Sequence, residues 1–423
     1  MVLISYLLEY NRYLNIVGIG VLLGIAVILS HKRSVIDWKL VIKALLLQIG
    51  IALIMLKTTI GIRCVAALAR GVTAVYRCAD EGINFVFGNL GNAQGAWGFI
   101  FAFKVLPVMV FFGALTALLF HWGIIQRLVT GVNMLLRPLL DTSGAETLCA
   151  IANSFLGQTE SPLLIRNYLH GMTRSELFVV MVSGMATISG SILVVYAAMG
   201  VPAEHLLASS IMAIPGAILL AKIMIPEIDK AALQGHVSVT FEKRSTNVLD
   251  AIARGTSDGL QLAVNVGAML IVFLSLLALI QYGFAYGIDS ANALLALAGS
   301  SCHIPAYTLD AVFGVIFWPF SFLLGFQGAE IGATGQLLGM KVVLNELIAY
   351  KKMLALDLSP RTVAIMTYVL CGFSNFSSIG IQIGGIGALV PEKRHWLTEL
   401  GPRALIAATL ANLLSAMIVS LVL

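Results

Sequence analysis

The chain has 423 residues, 59% of them hydrophobic and 11% charged, with a formal net charge of +5 at pH 7. A soluble domain carries about 25% charged residues, so a chain this long and this apolar cannot bury its surface in one water-soluble core. The bilayer must be its solvent, and the modest positive balance calls for no nucleic-acid partner.

Glu9, Asn11 and Arg12 interrupt the first apolar run, and no small-residue cleavage site follows. The first membrane helix is therefore expected to serve as an uncleaved insertion signal. Apolar runs then fall at about 13–30, 40–56, 98–120, 177–199, 206–225, 260–284, 362–390 and 404–423. Most approach the roughly 20 residues that a spanning helix needs. Two further stretches, 145–170 and 311–350, are broken by polar or charged residues and by Gly or Pro. Such segments are tolerated at membrane depth only where protein or a water-filled cavity surrounds them.

The basic residues His31, Lys32 and Arg33, then Arg127 and Arg137, then Lys230, Lys243 and Arg244, then Lys393, Arg394 and Arg403 follow alternate runs. Eight crossings with both termini outside make all four groups cytoplasmic, as the positive-inside rule requires. Arg63, Arg70 and Arg77 fall on the other side, at seven-residue spacing among Val65, Leu68, Val72 and Val75. That pattern predicts a helix lying in the interface. A second amphipathic stretch, Ile125 to Leu140, precedes the first broken segment.

The broken segments form a weak repeat. Glu160 is followed 27 residues later by Thr187 in MATISGS, and Glu346 is followed 29 residues later by Asn375 in GFSNFSS. Paired interrupted helices in two halves point to a transporter site near the midplane. An ionised side chain at the bilayer centre costs roughly 2.5–3.5 kcal/mol on insertion scales, so Glu160 and Glu346 call for a function. The bland alternative pairs each with a base such as Arg166 or Lys341. Gln158 and Thr159 beside Glu160, and Asn345 beside Glu346, argue instead for a polar ligand or water. Asn153, Thr187 and Ser189 form a second polar set whose oxygens suit a small cation, unless the hydroxyls simply bond back to carbonyls four residues earlier.

Other signals are weak. Cys64, Cys78, Cys149, Cys302 and Cys371 show neither a CxxC pair nor zinc spacing and read as small apolar fillers. Lys104 can snorkel or meet a carbonyl, and His303 sits near a loop. GxxxG spacings are numerous among 40 glycines and carry almost no information. No phosphate-binding loop pattern appears, which argues against an ATP-driven pump, and no nucleophile or metal set points to an enzyme.

GQTESPLLIRNYL (157–169), MATISGS (185–191), KVVLNELIAY (341–350) and CGFSNFSSIGIQIGG (371–385) resemble the concentrative nucleoside transporter family, in the family's order. The likeness covers most of the chain from about residue 90, and the extra N-terminal helices of animal members are lacking. It implies an all-α polytopic membrane protein with eight transmembrane helices, two oppositely oriented re-entrant helical hairpins in an inverted repeat, and a homotrimer in a bacterial cytoplasmic membrane. The implied division gives N-terminal helices, interfacial helices and scaffold at 1–140, and the first half of a transport domain at 141–258. A scaffold helix and connection follow at 259–310, then the second half of the transport domain at 311–423.

The same resemblance implies residue roles. Gly157, Gln158, Thr159 and Glu160 belong to the substrate-binding hairpin, with Gln158 and Thr159 toward the nucleobase and Glu160 contacting it directly or through water. Glu346, Asn375 and Ser378 match positions that hydrogen-bond ribose, and Phe373 an aromatic near the sugar. Asn153 and Thr187, with carbonyls of Leu156 and Ile188, match sodium-ligand positions. The Thr187 position is often serine in sodium-coupled members, and proton-coupled bacterial members tend to lack the Asn153-type amide. The expected activity is sodium-driven symport of nucleosides such as uridine, with purine nucleosides open. A proton-coupled transporter and, more remotely, a passive channel are the alternatives.

Overall fold

The computed structural model describes residues 6–92, 100–140, 142–228, 245–298 and 308–423, and the described residues are all helical or irregular, with no strand. Lys230, Lys243, Arg244, Cys302 and His303 lie outside the described residues, as does the side chain of Arg137.

The chain opens with α1 (Arg12–Ile28), α2 (Trp38–Lys57) and α3 (Thr59–Phe87). Asp37 caps α2 by accepting the Lys39 and Leu40 amides at 2.9 and 3.2 Å. Arg33 donates to the Val27 and Ile28 carbonyls at the end of α1, so this base is a helix cap as well as a loop charge. After α4 (Leu106–His121) and α5 (Ile124–Leu140) come the short helices of the first broken segment, α6 (Gly144–Asn153), α7 (Ser161–Leu164) and α8 (Arg166–Leu169). Next are α9 (Arg174–Ala186), α10 (Gly190–Met199), α11 (Ala203–Met224) and the 50-residue α12 (Val248–Leu297). The second half holds α13 (Leu309–Leu323), α14 (Ala329–Val343), α15 (Glu346–Ala355), α16 (Pro360–Leu370), α17 (Phe376–Leu389) and α18 (Arg394–Val422).

Burial sorts these helices. In the apolar windows of 174–199, 203–224 and 391–422, 89%, 89% and 83% of residues are buried, against 7% in that of α12. The centre is therefore built from α9, α10, α11 and α18. On α12, Leu260, Val264, Ile271, Leu279 and Leu294 stand more than half exposed, as suits a surface turned to lipid or to another chain.

Eight described helices are long and apolar enough to cross a bilayer, but they are not the eight apolar runs of the sequence. The run at 362–390 is two helices, α16 and α17. Thr59–Leu90 qualifies by length and hydropathy in its place. Along α3, Arg63, Arg70 and Arg77 are exposed, while Val65, Ala69, Ala79 and Ile83 are buried. Leu68, expected on the apolar face, is exposed. At 1.5 Å per residue α12 is about 75 Å long, far more than a roughly 30 Å hydrocarbon core. The expected span at 260–284 is thus one stretch of a helix that crosses the anticipated 258/259 boundary.

Two minor expectations change. Cys149 and Cys371 are buried fillers, whereas Cys64 and Cys78 are exposed on α3, and Cys302 is not described. The Lys104 ammonium pairs with Asp80 on α3, which a sequence cannot show because the partner lies 24 residues upstream.

At least two of the many GxxxG spacings are used: Gly335 and Gly339 of α14 lie against Gly314 and Phe313 of α13, and Gly255 and Gly259 of α12 lie against α4. A Cβ on Gly255 would lie 2.4 Å from the Gly113 carbonyl, and one on Gly259 2.6 Å from the Met109 carbonyl. Glycines here let the backbones of α4 and α12 touch. Gly259→Val should force the pair apart and destabilise the protein by about 1–3 kcal/mol, seen as a lower melting temperature of detergent-purified protein. An unchanged melting temperature would show that the helices separate without cost.

Candidate functional site

Both broken segments converge on interrupted helices. In the first, Ser143 and Glu146 form a capping box that starts α6, and the helix runs fully buried to Asn153. It then gives way to the turn 154–160. Gly157 has φ +105°, and a Cβ there would sit 3.2 Å from the Ser189 Cβ, so the backbone bend needs glycine. Helix α9 stops at Ala186, and Thr187 has extended backbone angles. Ser189 restarts the helix as α10, accepting the Ile192 amide at 3.4 Å.

In the second, Asn345 caps α15 by accepting the Ile348 amide at 3.0 Å, and Glu346 occupies the first turn. Helix α16 stops at Leu370, and Asn375 restarts it as α17 through the Ser378 amide, also at 3.0 Å. Helix N-termini carry positive partial charge, so Glu346 and Asn375 place acceptors where the backbone favours them.

A continuous chain of hydrogen bonds joins the halves. The Gln382 amide donates to Gln158 Oε1 at 3.2 Å, Gln158 Nε2 to Ser378 Oγ at 3.3 Å, and Ser378 Oγ to Asn375 Oδ1 at 3.2 Å. Asn375 Nδ2 then donates to Glu346 Oε2 at 3.0 Å, while the Tyr196 hydroxyl donates to Oε1 at 2.7 Å. All six residues are buried. Every step runs donor to acceptor toward Glu346, which makes its carboxylate the sink of the network.

The structure brings Gln158, Ser378, Asn375 and Glu346 together, as expected from the motifs. Phe373 is half-buried in the break before α17, its amide donating to the Thr187 carbonyl at 3.3 Å. Thr159 and Glu160 differ: both are exposed. The desolvation argument therefore applies to Glu346 and not to the exposed Glu160. Glu346 does not pair with Lys341, whose ammonium goes elsewhere.

Tyr196 and Gln382 were not singled out from the sequence. Each lies on an apolar helix where its type reads as core, and only the partner 150 or 224 residues away reveals it. Lys393 was also read only as a loop charge; buried, it donates to the Leu169 and Met172 carbonyls at 2.8 and 2.7 Å, closing the end of α8.

Two members of the second polar set, Asn153 and Thr187, meet at Ser183, while Ser189 bonds to Ser191 and the Ile192 amide. Asn153 Nδ2 donates to Ser183 Oγ at 3.0 Å, and Thr187 Oγ1 donates to the Ser183 carbonyl at 2.8 Å. Thr187 thus does bond back four residues, which leaves its oxygen lone pairs available. Asn153 is wholly buried, and its Oδ1 has no hydrogen-bond partner. Leu156 and Ile188 are buried in the two adjacent breaks. A groove of about 720 Å³ between α3, α4 and α12 is lined by Ile83, Phe87, Leu106, Phe111 and Leu260; it offers almost no polar group to a nucleoside.

Family models for the Na+ dependent nucleoside transporter N-terminus, nucleoside recognition, and the Na+ dependent nucleoside transporter C-terminus match residues 17–90, 102–203 and 205–420. The chain belongs to the concentrative nucleoside transporter family. The match includes the first helices, which the motifs had left out. An uncharacterised transporter of Haemophilus influenzae is 44% identical over 415 residues, covering 96% of this chain and 97% of that one. Nucleoside permease NupC of Helicobacter pylori is 37% identical over 423 residues, covering 97% and 98%. Sodium/nucleoside cotransporter 1 of Rattus norvegicus is 32% identical over 425 residues, covering 96% of this chain but 63% of its own length. Among solved structures, CNTnw in an inward-facing substrate-bound state matches with TM-score 0.86 at 36% identity, covering 97% of each chain. An outward-facing CNTnw variant matches with TM-score 0.88 at the same identity, again over 97% of each.

Tyr196→Phe removes one donor to Glu346 without changing the ring. Uridine binding to purified protein should weaken about tenfold, or roughly 1.5 kcal/mol, with little change in melting temperature. An unaltered dissociation constant would remove Tyr196 from the site.

Proposed function

We propose that this nucleoside transporter is a secondary active symporter, importing nucleosides such as uridine across a bacterial cytoplasmic membrane with sodium. The observation that carries the ion assignment is Asn153 Oδ1, a buried oxygen without a partner. A buried acceptor left unmade costs about 1–3 kcal/mol, and a desolvated cation relieves that cost. With Thr187 Oγ1 and the Leu156 and Ile188 carbonyls it supplies the hard oxygen set that sodium prefers.

The nucleoside reading rests on the network ending at Glu346. Vicinal ribose hydroxyls can donate to a carboxylate by short charge-assisted bonds, beside Asn375 and Ser378 and against Phe373. Gln158 and Thr159, with Gly157 shaping the turn, address the base, and Glu160 reaches it directly or through water. Thr59–Phe87 is the interfacial helix in this reading, α6–α8 and α14–α15 are re-entrant hairpins of opposite sense, and three copies assemble. The domain division is proposed with its 258/259 boundary moved back to the start of α12, so that all of α12 belongs to the scaffold. Alternating access carries the hairpins across. One sodium moving down 100 mV yields about 2.3 kcal/mol, which supports roughly 50-fold accumulation at one-to-one coupling.

A proton-coupled mechanism draws on a titrating acid, the exposed Glu160 or the buried Glu346. Both Glu346 oxygens already accept, from Tyr196 and Asn375, hydrogen bonds that a carboxylate holds more strongly than a neutral acid does. Sodium is the better reading. Uridine uptake into proteoliposomes should need an inward sodium gradient, and Asn153→Ala should abolish that dependence. Uptake driven by external acid and indifferent to sodium would replace the ion. Glu346→Gln and Asn375→Ala should each abolish uptake in folded protein, and normal uptake in both would overturn the substrate site.

A further inference from the structure

The two halves repeat one order of elements. In the first, α6 leads through the break at 154–160 to α7 and α8, and then to α9 and α10, interrupted at 187–189. In the second, α14 leads through 344–345 to α15, and then to α16 and α17, interrupted at 371–375. Near the end of α6, Asn153 reaches across to α9 and presents its unpartnered oxygen. Near the end of α14, the residue that reaches across to the interrupted helix is Lys341.

Lys341 is wholly buried. Its Nζ donates to the Val369 carbonyl on α16 at 2.7 Å and to Asn412 Oδ1 on α18 at 2.8 Å. None of the ion pairs among the described residues involves it. An ammonium group buried among neutral oxygens is costly unless the surrounding field is negative. Here the field comes from helix ends, with Glu346 adding to it through space. Asn412 Nδ2 donates to the Ala186 carbonyl at 2.8 Å and the Cys371 carbonyl at 2.7 Å, so the C-terminal ends of α9 and α16 both point into this place. Each such end carries about half a negative charge.

Neutral hard oxygens at bonding distance and converging helix C-termini, with the Glu346 carboxylate acting through space but not bonded, are the chemistry of a monovalent-cation site. We propose that Lys341 is a resident cation. Its ammonium fills the second-half counterpart of the Asn153–Thr187 site, so this half of the repeat takes no ion from solution. The inference rests on the sodium reading of the first half and extends it to the other.

The test compares wild type, Lys341→Gln and Lys341→Arg in proteoliposomes, with choline replacing sodium. Uridine uptake is followed against sodium, and the charge moved per nucleoside is read from the potential that stops net flux. Lys341→Gln should open the place to solution sodium, raising the Hill slope from about one to about two and adding one charge per nucleoside. Lys341→Arg should keep the wild-type slope. The melting temperature of purified Lys341→Gln is measured in parallel, and it should depend more steeply on sodium than that of wild type. Two results overturn the proposal: a Lys341→Gln protein with the wild-type slope and charge count, or one that stays unfolded at every sodium concentration. A wrong sodium reading shows in wild type, as uptake indifferent to sodium; a wrong assignment of Lys341 shows only in the variants.

Discussion

Two helices that stop and restart inside the protein leave backbone groups without partners, and the centre of the molecule is arranged to satisfy them. Each buried group left unmade costs about 1–3 kcal/mol. Asn412 meets two of them with one amide, on Ala186 and Cys371, and the Phe373 amide meets the Thr187 carbonyl. Ser189 and Asn375 cap the restarted halves. The interruptions are stable because they cross, each supplying partners for the other. Asn412 can do this only from the middle of α18, which explains why a terminal helix is among the most buried of all.

Crossing also sorts charge. The carbonyl ends of α9 and α16 face one place, and it holds the Lys341 ammonium. The amide ends of α15 and α17 face another, and it holds Glu346 and the Asn375 side chain. A single backbone device thus makes one pocket hospitable to a cation and the neighbouring one to acceptors, with little help from charged side chains. In a chain with 11% charged residues, that economy matters, since each buried ion must otherwise bring a counter-ion.

Much of this was legible in the sequence, and the gaps have physical causes. Glu346, Asn375 and Gln158 stood out because polar groups interrupt apolar runs. Tyr196 did not, because a tyrosine on a buried helix is ordinary core until its hydroxyl is seen to find Glu346. Glu160 is exposed rather than enclosed, because an acid in an apolar stretch signals a polar environment but not enclosure. The run at 362–390 read as one span because hydropathy averages over the five-residue interruption at 371–375. The length of α12 was hidden because a helix leaving the hydrocarbon keeps its backbone but loses its apolar signature. Gly255 and Gly259 were invisible among forty glycines until Met109 and Gly113 were found against them.

The proximity of the two polar sets bears on how a gradient could drive a nucleoside. Asn153 ends α6 and Gln158 lies within the break that follows, five residues on in sequence. The Thr187 carbonyl, beside the proposed ion ligands, is held by the amide of Phe373, the aromatic proposed to face the sugar. An ion that draws Asn153 Oδ1 and Thr187 Oγ1 together therefore acts on the turn that carries Gln158 and on the strand of backbone that carries Phe373. Coupling of this kind is reciprocal: whatever factor the ion adds to nucleoside affinity, the nucleoside must add to ion affinity. Gln158 is bonded to Ser378 and Gln382 in the other half, so tightening the first break also tightens the contact between halves. In the proposed reading, ion binding in the first half reaches Glu346 along this chain of hydrogen bonds.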